Sequence, residues 1–310
     1  MIDMEDIPDI PFSGNDSCTP STAAPASCSC TSFSSCLDES TPGGVYLCQV
    51  KAGVSCGACC GLYNVADASR PAINEILRRR TELFSGTART YEAVYAFADK
   101  ISEIENRNHP FDDFHHCPFI GFMDTVPESP GCLLHPLASG NNSLDLRGAS
   151  YYGNMTCSMY FCPTCRVVPE RYKSVLRAAA DDWYIYGLVM TESETINCFF
   201  ENAEKKAGLL IRPDMADNPD FCEAVRSFMN LKTEWPFRKD GVLAGYFFND
   251  RKDWPDERIY DPGTVWTPVL KAFRSEISSM NELEKAVEIL ERLATVVSHS
   301  LMRRAENSEP

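Results

Sequence analysis

This chain has no run of eighteen apolar residues, and so nothing that reads as a membrane-spanning helix. Basic residues are scarce: 29 lysines and arginines stand against 44 aspartates and glutamates, a formal charge of −15. A phosphate backbone needs a basic face that this balance works against, which argues against nucleic acid as a partner. An export signal is missing as well. MIDMEDIPDIPFSG carries acids where such a signal carries a basic region, and no apolar core follows, so a cytoplasmic protein is expected. The sequence also lacks G-x-S-x-G, G-x-x-x-x-G-K-S/T, H-E-x-x-H and G-x-G-x-x-G, which counts against ordinary hydrolase, kinase and dehydrogenase chemistry.

Cysteine is what the chain has in excess. It holds fifteen, yet 310 residues bury enough apolar surface to need no disulfide scaffold, and in a reducing compartment grouped thiols read as metal or redox sites. The densest group is Cys56-Gly57-Ala58-Cys59-Cys60. Cys56 and Cys59 have the separation that lets one tight turn aim two thiolates at one ion, with Gly57 expected to relieve crowding in that turn. Adjacent side chains diverge, so Cys60 is expected to serve a different ion or another corner of a cluster. Cys117, Cys132, Cys157, Cys162 and Cys165 follow, the last two again as Cys-x-x-Cys. Eight thiolates complete two four-ligand sites. Chain geometry suggests Cys117 and Cys132 as partners of the Cys56–Cys59 knuckle, leaving Cys60 and Cys157 for the Cys162–Cys165 turn. Deprotonated sulfur suits zinc or iron, and spacing does not choose between zinc ions and iron, including a 4Fe-4S cluster.

Other polar residues near these thiols invite two readings each. His135, three residues after Cys132, and His115-His116 before Cys117 are either ligands or groups that hydrogen-bond the loop backbone, the second being favoured. Asp145 and Arg147 read as a loop brace or as solvated surface, and Tyr184 and Tyr186 as helix residues or proton donors. Cys48, on the strand-like run Val45–Cys48, reads as a core thiol in preference to an extra ligand, and Cys198 and Cys222 likewise read as core.

The expected fold is mainly α, with a loop-rich cysteine module packed on helices and a helical C-terminal region. Residues 1–47 carry seven acids, no lysine or arginine, and a Ser-, Thr- and Pro-rich stretch, a composition expected to stay disordered with Cys18, Cys28, Cys30 and Cys36 uninvolved. Residues 48–168 form the metal module. Within it, Ser69 and Pro71 start a helix that carries Ile73, Ile76, Leu77 and Phe84 on one face. A second helix from Thr90 is expected to bury Tyr91, Val94, Tyr95, Ala98, Ile101 and Ile104. Prolines then keep the stretch from His109 to Arg166 free of long helix. Residues 169–310 read as helical: Tyr172, Leu176, Ala179, Trp183 and Tyr186 share one stripe, and a last helix over about Asn281 to Met302 carries Leu283, Val287, Leu290, Ala294, Val297 and Leu301. Between them lies an aromatic run, Trp235, Phe237, Tyr246-Phe247-Phe248, Trp254, Tyr260 and Trp266, read as core ahead of a groove.

Cys56-Gly57-Ala58-Cys59-Cys60, Cys117-Pro118-Phe119-Ile120 and Gly131-Cys132-Leu133-Leu134-His135-Pro136 resemble the YkgJ-like cysteine-cluster family, described as zinc- or iron-chelating proteins. The resemblance extends through Asp145-Leu146-Arg147, Tyr151-Tyr152-Gly153 and Cys157 to Cys165, as in a longer branch of that family. It covers roughly residues 48 to 168 and lacks the Arg-Pro that precedes the last cysteine in the short members. It implies a metal ion as partner and leaves a protein partner unidentified. Some relatives of this cluster, the flagellin lysine methylases, look like iron–sulfur enzymes, so the resemblance permits catalysis without establishing it.

Overall fold

A hairpin, a helical pair and a shared apolar seam position the thiols. In the computed structural model, residues 33–306 are described except 106–107, 112–113, 115, 124–126, 239–242 and 244–262. Helices dominate, as the periodicity implies. They are α1 (Phe33–Ser40), α2 (Arg70–Ser85), α3 (Tyr91–Ile104), α4 (Gly153–Met159), α5 (Pro163–Val167), α6 (Glu170–Ala179), α7 (Trp183–Met190), α8 (Ser193–Ala207), α9 (Pro219–Glu234), α10 (Thr267–Ala272) and α11 (Met280–Glu306). Two small antiparallel hairpins complete the framework: β1 (Gln49–Lys51) with β2 (Val54–Ser55), and β3 (Ile120–Met123) with β4 (Ser129–Cys132).

Local chemistry accounts for the boundaries. In α2, Pro71 sits in the first turn, where its missing N–H costs nothing. The Thr90 hydroxyl accepts the Ala93 N–H at the start of α3. The buried stripe of α3 is Val94, Phe97 and Ile101; Tyr91, Tyr95 and Ile104 face solvent. The stripe is rotated from the expected one because Phe97 stacks on Phe119 and meets Phe84 edge to face, contacts worth about 1 kcal/mol each beyond their burial. The single helix expected from Pro169 is instead α6 and α7. The first run ends at Ala179, and Asp182 caps the second, its carboxylate accepting the Ile185 N–H at 2.9 Å and the Arg70 guanidinium at 2.6 Å.

The stretch read as a disordered tail is ordered from residue 33 onward. Asp38 takes both ends of the Arg177 guanidinium and the Tyr46 N–H, and the Lys173 ammonium donates to the Gly43 carbonyl at 2.6 Å. Gly43 and Gly44 both have positive φ, 78° and 75°, which makes the turn that brings Val45 and Leu47 into the core. These anchors come from residues 130 and more positions away, so composition alone did not reveal them. Residues 1–32, with Cys18, Cys28 and Cys30, lie outside the described residues, as does the side chain of Cys36.

Three apolar clusters organise the interior. The largest runs from Val45 and Leu47 through Cys162, Cys165 and Tyr172 to α8, α9 and α11, so the expected division at residue 168 is crossed by one continuous core. The second joins Leu62, Tyr63, Ile73 and Leu77 to Trp183 and Leu188, and the third joins Phe84, Val94 and Phe97 to Phe119, Leu133 and Leu134. Trp235 and Trp266 are core, while Tyr246, Phe247, Phe248, Trp254 and Tyr260 lie outside the described residues. Among the described residues no helix is long and apolar enough to cross a membrane.

Candidate metal centre

The thiols lie along the seam of these clusters. Cys56 packs against the first and second, Cys60 against the second, Cys117 and Cys132 against the third, and Cys162 and Cys165 belong to the first. The β1–β2 hairpin turns at Gly53 (φ 76°) and returns the chain so that the Cys56 N–H donates to the Cys48 carbonyl at 2.8 Å. A short 3-10 turn, Ala58–Cys60, follows and closes on Gly61 in the left-handed region, φ 75°. Gly57 has φ −104°, which any residue adopts. Its glycine is favoured by packing: a Cβ there would stand 2.7 Å from terminal methyls of both Ile120 and Leu62, which would have to shift.

Two thiol neighbourhoods result, and their membership differs from the expected pairing. Cys48, Cys56, Cys162 and Cys165 form one, with the Cys162 and Cys165 sulfurs 3.8 Å apart. Cys60, Cys117, Cys132 and Cys157 form the other. Cys59 stands between them, hydrogen-bonded to Cys60 and within electrostatic reach of Cys48, Cys56 and Cys117. Cys117 and Cys132 therefore go with Cys60, not with the Cys56–Cys59 knuckle. The reason is the β3–β4 hairpin: Cys132 pairs with Ile120, and the Cys117 N–H donates to the Cys60 carbonyl at 2.9 Å. Cys48 joins the thiols in place of an apolar core position; the signal for it was its place at the foot of the hairpin that leads into the knuckle. No disulfide joins any described cysteine.

Burial keeps most of these groups protonated. It pushes the Cys117 thiol up to about 11 and the Cys132 thiol up to about 12, and raises Cys48 and Cys56, with neighbouring thiols adding to the effect. Cys60 is raised first by its hydrogen bond with Cys59 and then by burial. Cys162 goes the other way, to about 7, because it shares a hydrogen bond with the Cys165 thiol and the backbone N–H groups of Cys165 and Thr164 point at it. A metal bound here displaces protons from the remaining thiols. Among the described residues, no three His, Cys, Asp or Glu side chains are already arranged to hold an ion; the sulfurs are gathered but do not converge on one point.

The surroundings brace and balance the groups. Tyr186 donates to the Leu47 carbonyl at 3.0 Å and forms a wall of the first group; Tyr184 donates to the Ala68 carbonyl instead. Lys173, fully buried, donates to the Cys165 carbonyl at 2.8 Å and places a cation beside Cys162 and Cys165. Near the second group, Arg147 is held by Asp145 through 2.9 and 2.7 Å bonds, the brace that is one of the two readings of this pair. Arg80 has no exposed surface, and its guanidinium donates to the Cys117 carbonyl, to Glu105 and to His116. One of three consecutive arginines, it carries no sequence mark of burial. His116 Nδ1 meets the Gly61 carbonyl at 2.7 Å while its Nε2 faces Arg80, so both ring nitrogens are engaged by protein groups. His135 Nδ1 accepts the Leu137 N–H at 3.1 Å, a loop-backbone bond. His115 lies outside the described residues. Cys222 is buried, and half-buried Cys198 donates to the Val265 carbonyl. Compared with known proteins, the chain matches no family model, no curated protein and no solved structure.

Proposed function

We propose that this protein is a thiolate metalloprotein of the cytoplasm. Cys56, Cys162 and Cys165, with Cys48 or Cys59, would hold one zinc or iron centre, and Cys60, Cys117, Cys132 and Cys157 a second. The observation that carries this reading is that seven thiols free of disulfides, Cys56, Cys59, Cys60, Cys117, Cys132, Cys162 and Cys165, come from well-separated stretches of chain to the apolar clusters that meet here, with Cys48 and Cys157 in electrostatic reach of them. Packing alone does not call for so many adjacent sulfurs, and a bound metal would replace mutual thiolate repulsion with coordination. The 3.8 Å between Cys162 and Cys165 sulfurs is close to the edge of a tetrahedron with metal–sulfur bonds of about 2.3 Å, which favours both thiolates on a single ion. Lys173 and Arg147 offset part of the thiolate charge, one at each group. The motif resemblance to the YkgJ-like cysteine-cluster proteins points the same way.

The second reading is an iron–sulfur enzyme, which the motif resemblance permits; Tyr46, Tyr160 and Tyr186 lie in electrostatic reach of the first group's thiols, and burial holds all three phenols in their protonated form. Metal analysis and an absorption spectrum of anaerobically purified full-length protein test both. A colourless protein with about two zinc ions per chain is expected for the binding role, and a brown one that bleaches in air for the iron–sulfur enzyme. Less than about one zinc or iron per chain, with full folding in chelator, overturns metal binding altogether.

A further inference from the structure

Cys162-Pro163-Thr164-Cys165 is a closed turn as well as a spacing. Cys162 caps α5 with extended backbone, φ −63° and ψ 163°, and Pro163 fills the first helical position. The Cys165 N–H donates to the Cys162 carbonyl at 3.1 Å. A bond over three residues keeps the two Cα atoms within about 7 Å, the span that a disulfide bridges. A cap residue and the third residue of its helix also turn their side chains toward each other, and the two sulfurs accordingly lie 3.8 Å apart.

Buried groups fix the rest of the turn. The Thr164 hydroxyl donates to the Met190 carbonyl at 2.6 Å, and the Lys173 ammonium ties the Cys165 carbonyl, at 2.8 Å, to the Gly43 carbonyl, at 2.6 Å. With the backbone already in place, the sulfurs have under about 2 Å to close before they bond. The other neighbouring thiols are set differently. Cys56 and Cys59 share the spacing, but the turn there starts one residue later, its N–H bonds running from Cys60 to Gly57 and from Gly61 to Ala58. Cys59 and Cys60 are hydrogen-bonded to each other, yet adjacent cysteines form a disulfide only by distorting the peptide between them.

We infer that Cys162 and Cys165 are a redox-active dithiol that a hydroperoxide closes to a disulfide. Cys162 is 9% exposed and Cys165 is not exposed at all, so a small oxidant meets Cys162 first. The Cys162 sulfur attacks a peroxide oxygen, the O–O bond breaks, and Cys162 becomes a sulfenic acid while its proton leaves, with hydrogen peroxide, in one water. The Cys165 sulfur then attacks the Cys162 sulfur. The S–S bond forms, the S–O bond breaks, and the hydroxide leaves with the Cys165 proton as a second water. Two electrons pass from the thiol pair to the peroxide, and an external thiol returns them by exchange. No metal takes part in these steps. Closure takes two thiols out of the first group while Thr164 and Lys173 go on holding the turn.

The test exposes the full chain, handled anaerobically, to about one equivalent of hydrogen peroxide, both as purified and after treatment with chelator, and then alkylates the remaining thiols with iodoacetamide. Trypsin cuts after Arg147 and Arg166, so Cys157, Cys162 and Cys165 share one peptide. That peptide is expected to be two hydrogens lighter, with Cys157 alone alkylated, in the larger part of the chains. Dithiothreitol is expected to return it to the form with all three cysteines alkylated, and Cys157→Ala is expected to leave the bond unchanged. Circular dichroism of each sample checks that its helices persist. The assignment is overturned if Cys162 and Cys165 stay alkylatable in both preparations, if the bond joins Cys157 or a cysteine of another peptide, or if Cys162 goes on to the sulfinic acid with Cys165 still free. Metal analysis of the untreated protein decides the proposed centres separately: a chain without metal that forms this bond keeps the dithiol and loses the centres.

Discussion

The first thiol group is built into the core and the second is built beside it. Cys162 and Cys165 are buried members of the largest apolar cluster, with Tyr186 and Lys173, also fully buried, around them. The second group leans on a hairpin and on α2, and its fourth thiol rides on an exposed helix. The same ligand type thus sits in two mechanical settings. Were both groups to hold metal as proposed, coordination free energy at the core-enclosed group would be folding free energy, whereas losing a thiol outside the core would disturb the fold little.

The largest expected effect breaks that contrast most directly. Cys165→Ser is expected to lower the main unfolding transition by more than about 10 °C, because it removes a proposed ligand from the group that the core encloses. Cys157→Ser is expected to move it by less than about 2 °C. Calorimetry of the two variants beside wild type checks this, and equal shifts would mean that the two groups are mechanically the same.

Next in size is Arg80. Its guanidinium is fully buried and shared among Glu105, His116 and the Cys117 carbonyl. Arg80→Ala takes the fully buried partner from the nearly buried Glu105 carboxylate and leaves it with Arg79 alone, at a cost of about 3 kcal/mol. Denaturant unfolding measures the loss, and it should come with reduced metal at the second group and unchanged metal at the first. Loss of metal from both groups would show that Arg80 supports the fold as a whole and not the frame of one site.

What could be read from residue order follows a physical pattern. Helix periodicity, Pro at the start of α2 and Thr90 at the start of α3 are local signals, and they place those helices. Cys-x-x-Cys spacing is local too, and marks Cys162 and Cys165 as neighbours. The grouping of thiols is not local. It depends on the β3–β4 register and on the Cys117–Cys60 backbone bond, the latter joining residues 57 positions apart, so chain geometry places Cys117 with the Cys56–Cys59 knuckle where the structure places it with Cys60. The ordering of residues 33–47 depends in the same way on Arg177 and Lys173, far downstream. Arg80 and Lys173 are buried cations whose partners are carbonyls, one carboxylate and one imidazole. Composition counts such residues as surface.

The smallest effect concerns the edge of the first group, where Asp38 secures the N-terminal segment. Burial pushes its carboxyl up, but the bonds from Arg177 and from the Tyr46 N–H more than offset this and hold it below the usual carboxylate range. The pair is about one-fifth exposed on each side, so Asp38→Asn is expected to cost about 1 kcal/mol at neutral pH. A carboxyl whose folded pKa is depressed contributes stability above its unfolded value of about 4, and loses it as pH falls through the folded value. The gap between wild type and Asp38→Asn should therefore be constant from neutral pH down to about 5 and then close as the solution becomes more acidic. Denaturant midpoints taken across that range check it. A gap that persists undiminished at pH about 2 would show that the Asn amide disturbs the turn at Gly43 and Gly44, and that the charge of Asp38 is not what ties this segment to the thiol core.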